Sequence, residues 1–122
     1  MFEWRYAVYT DIGEIVALGL VSADSGLSSE KQHRSCSGYV DYLAAIGKDY
    51  DTVRKTVTEL LRFIEQNLWR VAVTKVEKLH VLLDAQQIGE SFDFKGILEE
   101  RKFFKEETFA KESVVMLSKK LF

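Results

Sequence analysis

Residues 79–85, LHVLLDA, constrain this chain more than any other stretch. A short apolar run that ends in an acid suits a strand buried on both faces. Residues 86–93 that follow are polar and contain Gly89, as a crossover loop requires. From Phe94 the apolar residues Phe94, Ile97, Leu98 and Phe104 recur at roughly helical spacing, so the reading predicts a helix over 94–104 packed back on the strand. The result is a strand–loop–helix unit around which the remaining elements must be arranged.

Composition narrows the surroundings. The 122 residues fit one domain, and a domain of this size buries roughly two-thirds of its unfolded surface. Apolar residues make up 47% and charged residues 30%, which suits a globular chain and not a disordered one. The 17 basic and 19 acidic residues are mixed along the chain and leave a net charge of −2, so no basic stripe points to nucleic acid. A single cysteine, Cys36, cannot form an internal disulfide and fits a reducing compartment. The start MFEWRYAVYTD lacks the basic and apolar regions of a signal peptide, and no apolar run is long enough to span a membrane. A cytoplasmic protein is expected.

Taken in order, residues 4–10 alternate, with Trp4, Tyr6 and Val8 on one face. Asp11-Ile12-Gly13 supplies a turn, and residues 14–21 (EIVALGLV) continue as a second strand of a hairpin. Residues 22–37, rich in serine, read as a loop. From Ser37 onward, Tyr39, Leu43 and Ile46 fall at helical spacing, which predicts a short amphipathic helix ended by Gly47. Asp51 is the expected N-cap of a longer helix whose apolar stripe is Val53, Val57, Leu60, Leu61, Ile64 and Leu68. Residues 69–76 read as its last turns or as a short strand. Mixed charges over 99–112 suit a solvated helix face, and residues 113–117 (SVVML) form the last buried strand. A right-handed crossover would make the final two strands parallel neighbours.

The candidate chemistry is sparse. His33 and Cys36 stand three apart, yet a structural zinc site needs four ligands and no second pair matches them. A Cys36 nucleophile with His33 or His80 as its base lacks a recognisable third group. His80 itself reads as a core or edge residue holding one hydrogen bond. Asp84 ends the central strand, where open sheets place their ligand crevices, and Glu90, Ser91 and Asp93 follow it in the loop. Those acids could meet a divalent cation or a partner's basic group, while Ser91 or Asp93 would equally serve as a helix cap. No glycine-rich phosphate loop, GxSxG elbow or paired-histidine motif is present.

At residues 81–88 (VLLDAQQI) the chain resembles the STAS domains of anti-sigma-factor antagonists and the wider SpoIIAA-like group. In that family a hairpin, a helix and a strand ending in Asp are followed by a loop with a phosphorylatable Ser, a short helix and another strand. The hairpin, the 81–84 strand, the 89–93 loop, the 94–104 helix and the 113–117 strand fit that order. The family's Asp-Ser-Ser-Gly stretch is absent, and Glu90-Ser91 or Asp93-Phe94 stand nearest to it.

The expected fold is a single α/β or α+β domain over 1–122, with a mixed sheet of four to five strands and three to four helices in STAS-like order. The expected function is a non-enzymatic regulatory or protein–protein interaction module. A protein partner would meet Asp84, Glu90, Ser91 and Asp93, and no cofactor is needed. One alternative is a small-ligand-binding protein or enzyme whose pocket lies between the sheet and the 22–37 loop, with Asp84, His33 and Cys36 as polar groups. A second is a homo-oligomer that buries the 103–109 aromatic face.

Overall fold

The computed structural model describes residues 2–23, 36–71, 76–84, 94–106 and 114–121. Among them the elements run β1 (Phe2–Tyr9), β2 (Ile15–Ala23), β3 (Cys36–Ala45), α1 (Tyr50–Val71), β4 (Val76–Asp84), α2 (Phe94–Glu100), β5 (Phe104–Lys105) and β6 (Val114–Lys120). The strands form one six-stranded sheet in the order β1-β2-β3-β4-β6-β5. Only β3 and β4 are parallel, and every other neighbouring pair is antiparallel. This is a small α+β domain with more strands and fewer helices than the sequence reading expected.

The predicted hairpin is present. β1 and β2 pair from Phe2↔Ala23 to Tyr9↔Ile15. Gly13 turns the chain at φ 85°, and its amide donates to the Thr10 carbonyl at 2.9 Å. That φ suits glycine and strains other residues. Trp4, Tyr6 and Val8 pack against the core, as their alternation implied.

Residues 37–47 do not form the expected helix. They belong to β3 and the turn after it, and a β-bulge explains the misreading. Leu20 faces Tyr42 and Val21 faces Val40, so Asp41 is an extra residue in β3. The extra residue shifts the buried positions from Gly38 and Val40 to Leu43. A step of three imitates helical periodicity. Gly47 consequently terminates no helix. Gly38 is needed for close packing, because a Cβ there would lie 2.5 Å from Leu68 Cδ2.

α1 does form on the predicted stripe. Val53, Val57, Leu60, Leu61, Ile64 and Leu68 are each at most 1% exposed. Its N-cap is Asp49 and not Asp51: the Thr52 amide donates to Asp49 Oδ1 at 2.8 Å. Asp51 sits in the first turn and pairs with Arg54 and Lys55 at 3.1 and 3.2 Å. The helix runs to Val71 and β4 opens at Val76, with residues 72–75 outside the described set. β4 is buried at Leu79, Val81 and Leu83 on one face; on the other only His80 is buried, Leu82 is half-buried, and Lys78 and Asp84 are exposed.

α2 ends earlier than predicted. The Phe103 amide donates to the Leu98 carbonyl and the Lys102 amide to the Glu99 carbonyl, both at 3.0 Å. With Lys102 at φ 71°, this is a Schellman cap. Leu98 and Phe103, where that motif favours apolar residues, are fully buried. The buried Phe103 is thus not free to form an oligomer face. Instead of a charged helix, the chain makes a turn and β5. β6 then returns between β4 and β5, which makes β4 and β6 antiparallel neighbours and not parallel ones. Glu65 of α1 receives Arg101 at 2.8 Å and also Lys119 of β6. The trio ties α1, the turn after α2 and the sheet together. No helix among the described residues is long and apolar enough to cross a membrane.

Candidate functional site

Both helices pack on one face of the sheet, and α1 and α2 are bridged by Arg54 to Glu100 at 3.4 Å. The opposite face carries a row of side chains set by strand register. Glu3 pairs with Ser22, Ser22 with Tyr39, Tyr39 with His80, His80 with Ser118, and Ser118 with Phe104. Gly38 faces α1. Tyr39 therefore faces away from it, and residues at the same register on neighbouring strands share its face. Ser22, His80 and Ser118 are the buried polar residues among those described, and all three lie in this row.

Buried polar groups need partners, and these have them. The Ser22 hydroxyl donates to Asp41 Oδ2 at 2.7 Å, which anchors the bulge residue. His80 Nδ1 and Ser118 Oγ are 2.5 Å apart. The Tyr39 ring stacks on the imidazole with centroids 4.9 Å apart and planes 22° from parallel. Burial pushes the His80 pKa below its ordinary 6.5, and the Lys78 ammonium pushes it the same way against the weaker pull of Glu106. The imidazole is therefore neutral at pH 7. With Ser118 donating to Nδ1, Nε2 carries the proton; with Nδ1–H donating to Ser118, Nε2 offers a lone pair.

One residue beyond this row the central ladder stops. The β3–β4 register runs from Cys36↔Val76 to Val40↔Val81. Beyond it β3 continues to Ala45 along β2, and β4 continues to Asp84 along β6. The strands are parallel and joined through α1, so this is the carboxyl end of a crossover, where open sheets hold ligands. The bulge at Asp41 falls at the same point. Beside it, a cleft of about 610 Å³ is lined by Glu3, Trp4, Arg5, Leu20, Val21 and Asp41. α1 begins at the same end of the sheet, four residues after β3 ends. The Thr52 amide in its first turn is taken by the Asp49 side chain. Hydrogen bonds from the Thr52 amide and hydroxyl hold the Asp49 carboxyl below its ordinary pKa of 3.8. Pairing with Arg54 and Lys55 does the same for Asp51.

Of the residues singled out from sequence, Asp84 ends β4 at the parting and is exposed. Cys36 opens β3 at the opposite end, paired with Val76. His33, Glu90, Ser91 and Asp93 lie outside the described residues, as do most of the 22–37 loop and all of the 86–93 loop. Ser22 and Ser37 proved to be strand residues. His80 holds the single hydrogen bond expected of it. Tyr39, Asp41, Ser22 and Ser118 were not singled out. Two hydroxyls amid apolar strands were the available signal, but reading 37–47 as a helix hid the row they complete.

No family model matches the chain, and no curated protein matches it. Among solved structures that do match is the "putative acyl-CoA N-acyltransferase" of Klebsiella pneumoniae subsp. pneumoniae MGH 78578. The two are 18% identical, with a TM-score of 0.57 over 97% of this chain and 72% of the other. Identity that low shows a shared fold. The likeness overturns the STAS resemblance and with it the regulatory-module reading. The element order differs as well: the STAS-like pattern puts only a helix between the hairpin and the strand ending in Asp, whereas here β3 precedes α1 in that interval and β5 follows α2.

Proposed function

We propose that the chain, acting as one domain over 1–122, binds a small thioester acyl donor on the sheet face opposite the helices and transfers the acyl group to an amine. The observation that carries this reading is a buried, neutral histidine at the point where the central parallel strands stop pairing. The fold shared with a protein described as an acyl-CoA N-acyltransferase supports it.

In the proposed reaction the amine nitrogen attacks the acyl carbon, forming the C–N bond as the carbonyl pair moves onto oxygen. When that pair returns, the C–S bond breaks and sulfur leaves with its electrons. The nitrogen's surplus proton goes to His80 Nε2 and then to the departing sulfur. In the tautomer whose Nδ1–H donates to Ser118 Oγ, Nε2 is the basic nitrogen, and Tyr39 stacks on the ring. A depressed pKa keeps the imidazole ready to accept a proton at neutral pH. Asp84, at the end of β4, is placed to attract a cationic acceptor. Cys36 opens β3 at the far end and takes no part in this step.

The test is incubation with S-acetylpantetheine and a panel of primary amines, with mass spectrometry of the acetylated products. His80→Gln should slow transfer by roughly 10²–10⁴-fold while donor binding and thermal unfolding at pH 8 stay close to wild type. Equal rates in the two proteins would refute His80's role. Absence of donor binding and of product would refute the reading as a whole.

A further inference from the structure

The two edges of the sheet are built differently. β5, at one end of the strand order, is Phe104–Lys105 and offers two residues. β1, at the other end, runs eight residues from Phe2 to Tyr9 and contains no proline. Folded proteins ordinarily shorten, charge or cover such an edge, because its unpaired N–H and C=O groups accept another strand. β1 carries two charged residues, Glu3 and Arg5, and they are of opposite sign.

Which main-chain groups of β1 face outward follows from the ladder. The Ile46 amide donates to the Val16 carbonyl at 2.9 Å, so that carbonyl points to the β3 side of β2. In a trans peptide the next N–H points the opposite way, which turns the Ala17 amide toward β1. Alternate residues of an antiparallel strand repeat this direction. Ala17, Gly19 and Val21 thus turn toward β1, where they oppose Val8, Tyr6 and Trp4. Glu3, Arg5 and Ala7 are left with main-chain groups directed away from the sheet. Their side chains lie on the face opposite the helices, because Tyr6, on the other face, meets Phe63 of α1 with ring centroids 5.4 Å apart. Glu3 and Arg5 are exposed, and neither forms an ion pair with another described residue.

We infer that two copies of this chain pair through β1, antiparallel about a two-fold axis, with Glu3 of each opposite the partner's Arg5. A two-fold interface sets the same patch against itself, so a patch of opposite charges two residues apart is complementary to its own copy. Charge selects the register. Sliding the strands by two residues either way opposes Glu3 to the partner's Glu3 or Arg5 to the partner's Arg5, and like charges directly opposed are unfavourable. Sliding them by one residue opposes side chains of different faces. In the chosen register the outward main-chain groups of Glu3 and of the partner's Arg5 bond to each other, and two Glu–Arg pairs close over them. The pairing also brings the partner's strand beside Phe63, which is 50% exposed. One short strand per copy buries little area, so the dimer is a weak one.

Sedimentation equilibrium of the full chain tests this with no acyl donor present. The mass should rise from the 14.0 kDa of one chain toward twice that value, with a midpoint on the order of 100 µM for so small an interface. Glu3→Arg and Arg5→Glu each set like charges against one another and should weaken self-association by about tenfold or more. Mixed in equal amounts, the two variants match at both positions: the changed residue of each meets that of the other, and the native charges also oppose. The mixture should associate within about threefold of wild type. Both changed residues are exposed, so each variant should melt close to the wild-type temperature. A wild-type chain that keeps the mass of one copy at about 500 µM would overturn the inference. Single variants that associate like wild type would also overturn it, by placing the dimer contact elsewhere. A mixture of folded variants that does not associate would overturn the pairing of Glu3 with Arg5.

Discussion

Lys102→Gly should stabilise the protein. Lys102 occupies the left-handed position of the cap that ends α2, at φ 71°, and is exposed. A left-handed conformation costs a residue with a Cβ roughly 1–2 kcal/mol. Glycine does not meet that cost, but it loses more freedom on folding, about 0.5–1 kcal/mol. Removing a lysine from the carboxyl end of a helix forfeits a further few tenths of a kcal/mol of dipole interaction. The difference leaves a gain of about 0.2–0.7 kcal/mol. An unfolding entropy of roughly 2.1 cal/mol/K per residue converts this to a rise in melting temperature of about 1–3 °C for this chain.

The assay is thermal unfolding by circular dichroism at constant pH and salt, with Lys102→Asn and Lys102→Ala as companions. Asparagine tolerates the left-handed region better than most residues and should fall between lysine and glycine. Alanine removes the charge but keeps the Cβ, so it should not stabilise. The ranking Gly above Asn above Ala separates backbone relief from loss of charge. A glycine variant that melts at or below the wild-type temperature would refute the assignment of strain to Lys102.

Four further outcomes are expected. Gly38→Ala places a methyl 2.5 Å from Leu68 Cδ2 between β3 and α1 and should cost about 1–3 kcal/mol in urea unfolding. Glu65→Gln leaves Arg101 and Lys119 facing each other without their carboxylate and should cost roughly 1–3 kcal/mol by the same measurement. Asp49→Ala should lower the urea midpoint more than Asp51→Ala, because only Asp49 caps a backbone amide. His80 has a folded-state pKa below its ordinary 6.5, so the unfolded chain binds its proton first. Stability contributed by neutral His80 is then complete above about pH 7 and falls as pH drops through the histidine range. A melting temperature that declines less from pH 7.5 to 5 in His80→Gln than in wild type is the expected result.

The sequence was legible where one period ruled an element for its whole length. α1 kept six apolar residues on a 3.6-residue stripe through Leu68, and all six are buried. The β1–β2 hairpin kept its alternation up to a glycine that the turn requires. Legibility failed where a single residue broke the period. Asp41 bulges from β3, and the buried set on either side of it then differs by a step of three. Read without knowledge of the neighbouring strands, that step is helical. β5 failed for another reason: it has only two residues, too few to show any period. Missing β5 reversed the direction of the final strand relative to β4.

The same irregularity that hid the site also helps to make it. A sheet whose β3 remained regular would continue pairing with β4 past Val40, and its carboxyl ends would be closed by hydrogen bonds. The extra residue at Asp41 instead coincides with the end of that ladder. Bulges bend a strand and interrupt pairing locally, so the bulge and the parting are parts of one distortion. The buried Ser22 hydroxyl fixes it by holding Asp41 at 2.7 Å. Ser22→Ala should then loosen the bulge: the loss of one hydrogen bond to a charged group costs about 1.5–3 kcal/mol. If bulge and parting are coupled, that variant should also weaken S-acetylpantetheine binding, although Ser22 lies on β2 and not on either parted strand. Ser22→Thr, which restores a hydroxyl, should recover both. Loss of stability with donor affinity intact would show that the bulge is held for the fold alone.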